Sequence, residues 1–414
     1  MSDPELEGRA GGVTGPLRAS VATAEPTEPT GSGEPEPAGR QDDQRLRSPR
    51  ETLDWLGEKL RAVGITRLAD LTWLDEIGIP VYQAIRPDAW LLSVSQGKGL
   101  TREAAKVGAA MEAIELWHAE RVEPDVPTAE AGTVSPGLGY RLRDLDRTPR
   151  SCLNPGMRLA WNHARRLDGS GETLVPTACL RLDGRVRPEW TPPVFSGTTN
   201  GLASGNTFGE AVRHGLTEVI ERDALARHQR SGRRPPLLRL DTVDGPAADL
   251  LALFAEAEVE VLVEVLPGPC GVPCFGARIF SDAFPVHSRG YGCHLDARTA
   301  LCRALTEAAQ SRVTYIAGTR DDVGKPAYRQ TSPFATLRDR ESFSAGTAAP
   351  GDALDFGDVH SLPVRGTEQD VALLVERVTA ATGVCPVAVD LTRADLGVPV
   401  ARVVAPRLLF PQHL

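Results

Sequence analysis

The chain has 414 residues, of which 41 % are hydrophobic and 24 % charged, which is enough apolar material for one or more packed cores. A net charge of −9 without any Lys/Arg-rich run argues against a nucleic-acid-binding protein. No run of about 18 apolar residues occurs, which argues against a membrane-spanning helix, and no secretory signal is recognisable. We therefore expect a cytoplasmic protein.

The first 48 residues differ in composition from the rest. They are rich in Pro, Gly, Glu, Thr and Ser, contain repeated Glu-Pro steps such as Glu25-Pro26 and Glu28-Pro29, and lack aromatic residues. Such a segment buries too little apolar surface to offset the entropy lost on ordering. The sequence predicts a disordered tail over residues 1–48, followed by one domain over residues 49–414.

Helices and strands are predicted to alternate through that domain. A helix begins at Pro49, because Ser48 is a suitable N-cap and Pro a suitable first residue, and it is expected to stop near Gly64. The most regular patterns are three long helices near residues 102–122, 208–229 and 296–316. Two strands are predicted near residues 259–266 and 274–282, and a helix followed by strands is predicted from about residue 352 onward. This order indicates an α+β protein with mixed β-sheets.

The seven cysteines suggest reduced thiols rather than a disulfide framework. Only Cys270 and Cys274 stand close together, in the stretch PGPCGVPC, where a zinc site is conceivable. No second Cys or His pair has zinc-finger spacing. We therefore favour two buried thiols at the start of a strand.

Glutamates share faces on two of the long helices. At about 100° per residue, positions three or four apart are neighbours on a helix surface. Such clusters usually form a solvated face, but here they have mainly small or apolar company and recur on two helices. The clustered residues are Glu112 and Glu115 on the first helix, and Glu210, His214, Glu218 and Glu221 on the second.

A cation would resolve the repulsion between carboxylates that meet in one cleft. Mg²⁺ prefers hard oxygen ligands and bridges one or two carboxylates to substrate phosphates. The stretch Ser95–Gly99 adds backbone N–H groups and the Lys98 ammonium, which together suggest a phosphate-binding loop. It does not follow the Walker pattern, which has four residues between its first Gly and Gly-Lys-Ser/Thr.

Three long motifs resemble the YcaO family in order and spacing. They read SVSQGKGLT with AAMEAIELWHAE, then TTNGLASGNTFGEAVRHGLTEVIERDA, then GYGCHLDARTALCRALTEAAQSR, and the similarity extends from about Ile65 to the C-terminus. Members of this family bind ATP through Mg²⁺ held by helical glutamates. They phosphorylate a backbone amide oxygen after a nucleophile has added to the carbonyl carbon.

The resemblance implies roles for residues that match its motifs. Those implied to bind metal are Glu112, Glu115, Glu210, Glu218 and Glu221, and those implied to bind ATP are Ser95, Lys98, Asn206, Arg222, Glu307, Gln310 and Arg312. Gly108 and Leu116 stand where the first motif usually has Ser and Arg, which removes one expected contact. We propose His214 as a general base, with contact to phosphate or water as the alternative; His118 is more typical of a structural residue.

The family divides by nucleophile, and this chain looks most similar to the TfuA-associated branch that forms thioamides. That branch implies a ribosomally made precursor peptide, an external sulfur donor and a TfuA-like partner protein. Azoline-forming cyclodehydratase or macroamidine activity is the alternative, and a non-catalytic ATP-binding accessory protein is another. Family members are often dimeric, so a homodimer is also expected.

Overall fold

The computed structural model describes residues 45–185, 192–322, 343 and 353–411. Residues 1–44, which make up nearly all of the predicted tail, lie outside the described residues. The last four residues of that predicted segment, 45–48, lead directly into the first helix. No helix in the described ranges is both long and apolar enough to cross a membrane.

The three long helices predicted from the sequence are present almost as predicted. The first predicted helix also begins correctly, with a capping box between Ser48 and Glu51, but it ends at Gly57, whose φ of 38° is costly for other residues. The helices of the described ranges are α1 (Pro49–Leu56), α2 (Lys59–Ala62), α3 (Arg102–Glu120), α4 (Ala131–Val134), α5 (Phe208–Ser231), α6 (Pro246–Glu256), α7 (Ala297–Ala317) and α8 (Thr367–Thr382).

The strands of the described ranges form three sheets. In chain order they are β1 (Arg67–Asp70), β2 (Val81–Ile85), β3 (Val94–Lys98), β4 (Val126–Glu130), β5 (Arg158–Arg166), β6 (Glu172–Pro176), β7 (Leu202–Ser204), β8 (Leu237–Leu238), β9 (Glu260–Val265), β10 (Cys274–Phe280), β11 (Ser288–Cys293), β12 (Ala353–Leu354), β13 (Val387–Asp390) and β14 (Val400–Val404). The predicted strands near 259–266 and 274–282 correspond to β9 and β10.

One of the three sheets is mixed, and the other two are antiparallel throughout the described ranges. The first has the order β1-β2-β3, the second β11-β10-β9-β8-β12, and the third β4-β5-β13-β14-β7 with β6 paired to β5. Neighbouring strands are antiparallel except for the parallel pair β8 and β12. This arrangement confirms the α+β class, with a mixed sheet among the three.

Two helices lie unusually close to the strands that they cover. A Cβ at Gly97 on β3 would lie 2.1 Å from the backbone nitrogen of Ala109 on α3, so only glycine fits there. In the same way, a Cβ at Gly290 on β11 would lie 2.1 Å from the backbone nitrogen of Ala308 on α7. This close packing brings polar side chains of both helices within reach of strand backbone groups.

The cores of the sheets explain the hydrophobic periodicity of the long helices. α3 packs its apolar face, including Ile114, against β2, β3 and β7, while α5 packs Leu216 and Ile220 against β14. α7 buries Leu305 against β10 and β11. The faces left over carry the glutamates and converge on one cleft, which we call the candidate active site.

Cys270 and Cys274 are buried free thiols just before and at the start of β10. Burial raises the pKa of the Cys270 thiol to about 12, which keeps it protonated at neutral pH. The interpretation as buried thiols is therefore confirmed. Among the described residues no group of three or more His, Cys, Asp or Glu side chains is arranged to hold a metal ion.

Candidate active site

Backbone amides hold Glu112 and Glu115, the two acidic side chains of α3 that face the cleft. The N–H of Gln96 on β3 donates to Glu112 Oε2 at 2.6 Å. Ser204, at the end of β7, donates to Glu115 Oε1 through its backbone N–H at 2.8 Å and through its hydroxyl at 2.6 Å. Since a carboxylate has about four lone-pair sites, both groups keep acceptor capacity for a cation.

An ion pair connects α7 to the first sheet. Lys98 Nζ lies 2.7 Å from Glu307 Oε2, and the N–H of Tyr291 donates to Glu307 Oε1 at 3.3 Å. Glu307 is thus oriented by a neighbouring strand in the same way as Glu112. Burial alone would raise the pKa of Glu307, but the charges of Lys98 and Arg222 outweigh it and hold the pKa below its usual value.

The other acids of the cleft are harder to ionise. Burial, followed by the charges of Glu112 and Glu218, raises the pKa of Glu115 to about 8. Burial also raises the pKa of Glu221 to about 7, against the opposing charge of Arg222. Glu112 and Glu218 are shifted in the same direction by burial. At neutral pH these carboxylates therefore share protons unless a cation neutralises them.

Arg222 balances part of this charge from within α5. Its guanidinium lies 3.9 Å from Glu218 and 3.9 Å from Glu221. Burial lowers the pKa of Arg222, but the nearby acids Glu221, Glu218 and Glu307 outweigh that effect and raise it. The cleft therefore combines several carboxylates with the two firmly charged groups Lys98 and Arg222.

The donor set fits Mg²⁺ that arrives together with a nucleotide. No protein-only cage of three acids is preformed in the described ranges. Mg²⁺ keeps several waters and is usually bound by one or two carboxylates plus substrate phosphates, so such a cage is not required. Lys98 and Arg222 provide the charges that phosphate oxygens need.

The comparisons with known proteins agree with this geometry. Residues 96–409 match the family model described as YcaO cyclodehydratase, ATP- and Mg²⁺-binding. This chain belongs to the YcaO family. ATP and Mg²⁺ are accordingly its cofactors, and it is an ATP-dependent enzyme.

Two relatives extend the match over most of the chain. An uncharacterised protein of Mycobacterium tuberculosis is 36 % identical over 404 residues, covering 97 % of this chain and 90 % of that protein. A Rhizobium leguminosarum bv. trifolii protein, described as an uncharacterised protein in the tfuA 3′ region, is 37 % identical over 308 residues, covering 71 % of this chain and 72 % of its own length.

Two solved structures share the fold. YcaO from Methanopyrus kandleri, bound with AMPPCP and Mg²⁺, superposes with a TM-score of 0.70 at 26 % identity, covering 88 % of this chain and 92 % of that one. A heterocyclase in complex with substrate and cofactor superposes with a TM-score of 0.71 at 21 % identity, covering 89 % of this chain and 53 % of that one.

Glu210 and Asn206, both implied by the second YcaO motif, form a separate part of the site. The backbone N–H and the side-chain amide of Asn206 donate to Glu210 Oε2 at 2.9 and 3.1 Å. The N–H of Leu46 donates to Glu210 Oε1 at 2.7 Å, and the Thr52 hydroxyl donates to Asn206 Oδ1 at 3.0 Å. Neither Leu46 nor Thr52 could be predicted from the sequence, because these contacts are long-range and Leu46 contributes only a backbone group.

His214 is exposed and lines a small pocket next to this part of the site. Ser204 and Glu210 belong to the same pocket, and Arg45 and Arg303 add positive charge. The structure therefore places His214 beside Glu210, a carboxylate of the site, and beside Ser204, which donates to the Glu115 carboxylate. Its predicted role as a general base remains a prediction.

β3 replaces the predicted phosphate-binding loop. Ser95 and Lys98 are strand residues paired with β2, and the N–H of Gln96 is taken by Glu112. Gly97 allows the close packing of this stretch against α3. The expected loop is therefore a strand over Val94–Lys98. Phosphate contact by Ser95 and Lys98 stays a prediction, and the Lys98 side chain lies among the site acids.

The third motif divides into two parts. Gln310 Oε1 is buried and has no hydrogen-bond partner in the part of the chain that the structure describes, which suits a residue that binds a ligand. Arg312 lies elsewhere: its guanidinium donates to Asp75 at 2.9 Å and to the Ser281 hydroxyl at 2.9 Å, and it is buried. These contacts differ from the nucleotide contact that the motif implied, and they indicate a structural role.

His118 is also a structural residue by its contacts. It is buried, it stacks edge-on with Trp117 at 5.1 Å, and its Nδ1 donates to the carbonyl of Ile114 at 2.8 Å. Burial lowers the pKa of His118, which keeps the ring neutral. These contacts agree with the structural interpretation from the sequence.

Proposed function

We propose that this YcaO protein uses ATP and Mg²⁺ to phosphorylate the oxygen of a peptide-backbone amide, and that it thereby converts the amide to a thioamide. One observation carries the ATP-dependent part: acids from α3, α5 and α7 converge with Lys98 and Arg222 in a single cleft. That combination is suited to binding and orienting phosphates with a divalent cation.

We assign the acidic residues of the site to the metal and the basic residues to the phosphates. Glu112, Glu115, Glu210, Glu218 and Glu221 are the proposed metal ligands, and Mg²⁺ when bound neutralises phosphate charge. Lys98 and Arg222 are proposed to contact phosphate oxygens directly, together with Asn206, whereas the unpartnered Gln310 Oε1 is an acceptor and is proposed to take a donor group of the nucleotide. Ser95 supports the cleft from β3. Positioning and charge neutralisation are what phosphoryl transfer chiefly requires from a protein.

The proposed reaction begins when a hydrosulfide equivalent attacks the amide carbon and the C=O electron pair moves to oxygen. That oxyanion attacks the γ-phosphorus of ATP, the bond to the β-phosphate oxygen breaks, and ADP leaves. The sulfur then loses its proton, the C=S bond forms, and inorganic phosphate departs with the former amide oxygen.

The sulfur-bound proton needs an acceptor, and we assign this role to His214. Its exposed ring beside Glu210 and Ser204 is reachable by a substrate. His214→Ala should lower peptide turnover by about 100-fold or more. His228→Ala, on the same helix, is the matched control. Normal peptide turnover in the His214 variant would remove this role.

The choice of sulfur as nucleophile rests on one relative. The Rhizobium protein is described by its place in the tfuA 3′ region, and the chain is 37 % identical to it. We infer that a TfuA-like protein assists in sulfur delivery and that the substrate is a ribosomally made precursor peptide.

Azoline formation is the second candidate, because the matching family is described as cyclodehydratase. In that reaction a Cys, Ser or Thr side chain of the peptide replaces sulfide as the nucleophile. The two outcomes differ in mass: thioamide formation exchanges one oxygen for one sulfur, whereas azoline formation removes one water.

The deciding experiment combines the full chain with ATP, Mg²⁺, sodium sulfide and the short peptides encoded beside its gene. Phosphate release and peptide mass are followed with and without a TfuA-like protein encoded there. We expect sulfide-dependent phosphate release and an oxygen-to-sulfur mass change. Water loss without sulfide would favour the cyclodehydratase, and phosphate release without any peptide change would contradict both candidates.

A further inference from the structure

A second pocket lies beside the acidic cleft, at the start of the TTNGLASGNT stretch. Its walls include the apolar residues Leu145, Leu408 and Phe410, and its polar side is formed by Asn200, Asp146 and Arg402. The turn that carries Asn200 is fixed in place, because Gly201 has a φ of 76° and a Cβ there would lie 2.2 Å from the Val403 carbonyl oxygen. This pocket is not used by the proposed nucleotide and metal site.

Two residues that line this pocket each carry a buried polar atom without a hydrogen-bond partner among the described residues. Arg402 is only 4 % exposed; its Nη2 donates to the Thr198 carbonyl at 2.6 Å, but its Nη1 is buried with no partner. Asn200 Oδ1 is likewise buried without a partner. An unsatisfied buried donor and an unsatisfied buried acceptor each cost free energy, so their occurrence at one pocket indicates a ligand.

The wall of this pocket adjoins the acidic cleft through residues that interact with Glu218. The N–H of Gly201, the residue after Asn200, hydrogen-bonds to the Glu218 carboxylate, and the charge of Arg402 also acts on Glu218. Val219 lines the pocket from the same helix as Glu218. A ligand in the pocket would therefore lie next to the reacting groups.

We propose that this pocket binds a backbone amide of the substrate peptide, next to the amide that is activated. The carbonyl of that amide accepts from Arg402 Nη1, and its N–H donates to Asn200 Oδ1. The apolar walls receive the adjoining side chain. This inference rests on the proposed function, because it takes the substrate to be a peptide.

The polar groups favour an amide over a charged ligand. An anion would satisfy Arg402 but would face the oxygen of Asn200 and the carboxylate of Asp146. A cation would meet the guanidinium of Arg402, which is held inside the protein. A neutral group that offers one acceptor and one donor matches both unpartnered atoms, and the peptide bond is such a group.

The test uses simple blocked amides as probes. N-methylacetamide (the methylamide) has the required donor and acceptor in its single amide, whereas N,N-dimethylacetamide (the dimethylamide) lacks the N–H donor. Binding to the full chain is measured by saturation-transfer NMR in the presence of AMPPCP and Mg²⁺. The variants are Asn200→Ala and Asn200→Asp, with Asn154→Ala in an exposed loop as the control.

We expect millimolar binding of the methylamide and about fivefold weaker binding of the dimethylamide, which corresponds to one hydrogen bond. Asn200→Ala should remove this difference, while Asn200→Asp and the control should retain it. No methylamide binding, equal binding of both probes to the wild type, or competition by inorganic phosphate would each overturn the proposal.

The outcome can be separated from that of the proposed function. Peptide-dependent phosphate release without amide binding in this pocket would leave the proposed function intact and reject the pocket. Asn200-dependent amide binding without any peptide-dependent phosphate release would do the reverse.

Discussion

Lys98 Nζ lies 2.7 Å from Glu307 Oε2, so a charged contact joins β3 to α7 across the candidate active site. The two side chains are both partly accessible, at 29 % and 24 % exposure, so the contact lies at the cleft surface where a nucleotide can reach it. The ion pair holds Lys98 in place before the nucleotide binds. Phosphate oxygens can then replace the Glu307 carboxylate as the partner of the Lys98 ammonium group.

Replacing Lys98 with Met should raise the KM for ATP and lower kcat/KM for phosphate release by about 30- to 100-fold, the effect of losing one charge-assisted contact. The pKa of Glu307 should rise at the same time, because Lys98 is the main group that lowers it. Steady-state kinetics measure the first effect. Lys106→Met on α3 is the control, and equal kinetics in both variants would contradict the assignment.

Glu115→Gln should weaken Mg²⁺-dependent nucleotide binding without unfolding the protein. The amide oxygen of Gln can still accept from Ser204, and the change removes a carboxylate whose ionisation is opposed by burial and by Glu112. Titration calorimetry with AMPPCP and Mg²⁺ should show at least about a tenfold loss of affinity. Glu103→Gln, exposed at the start of α3, is the matched control.

A different outcome would show that Glu115 has a structural role and is not a metal ligand. If Glu115→Gln binds Mg²⁺ and AMPPCP normally but melts at a much lower temperature, then the carboxylate serves to anchor the end of β7 through Ser204. The melting temperature and the affinity must therefore be measured on the same preparation.

The long helices and the glutamate faces could be predicted from the sequence for a physical reason. Side chains on one helix keep a fixed angular spacing, so Glu112 and Glu115 must share a face wherever α3 lies. Periodicity did not show whether that face meets solvent or a cleft. The motif resemblance to the YcaO family supplied that step.

Contacts between distant segments could not be predicted in this way. The hydrogen bond from the Gln96 N–H to Glu112 depends on the close approach of β3 to α3 at Gly97. That approach is a property of the packed fold and not of either segment alone. The contact of Leu46 with Glu210 spans 164 residues and involves only a backbone group. The amino-acid composition assigned Leu46 to the tail, because composition carries no information about a single backbone hydrogen bond.

Arg312 shows the limit of transferring a motif without its environment. Its guanidinium is committed to Asp75, and both groups are buried. Arg312→Met should leave the Asp75 carboxylate buried without its partner and should destabilise the fold by about 3 kcal/mol or more. Denaturant unfolding measures this loss, with Arg239→Met, an exposed arginine paired to Asp241, as the control.

The same variant tests the role implied by the motif. If Arg312→Met unfolds at the wild-type denaturant concentration but has a raised KM for ATP, the nucleotide contact is correct and the structural role is not. Asp75→Asn should reproduce the stability loss under the structural role, because it weakens the same ion pair from the other side.

Metal-bound nucleotide should release protons on binding near neutral pH. The pKa of Glu115 is raised to about 8 and that of Glu221 to about 7, so in the absence of a cation Glu115 is mostly protonated and Glu221 partly protonated at pH 7. Mg²⁺ requires the ionised form, so its affinity should increase as the pH rises from 6 to 8. Calorimetry in buffers of different ionisation enthalpy gives the number of protons released, which should fall in Glu115→Gln.

Stability of the nucleotide-free protein should change with pH in the opposite direction. In the unfolded chain a Glu loses its proton near 4.5, whereas folded Glu115 keeps it up to about 8, so the folded state binds more protons between these values. Stability from this group is therefore full below pH 4.5 and is lost as the pH rises toward 8, by a few kcal/mol at most for one carboxyl. Thermal unfolding in EDTA at several pH values measures the trend, and Glu115→Gln should flatten it. A nucleotide-free protein that becomes more stable from pH 6 to 8 would show that these carboxylates are already ionised, and the argument for a cation in the cleft would lose its electrostatic basis.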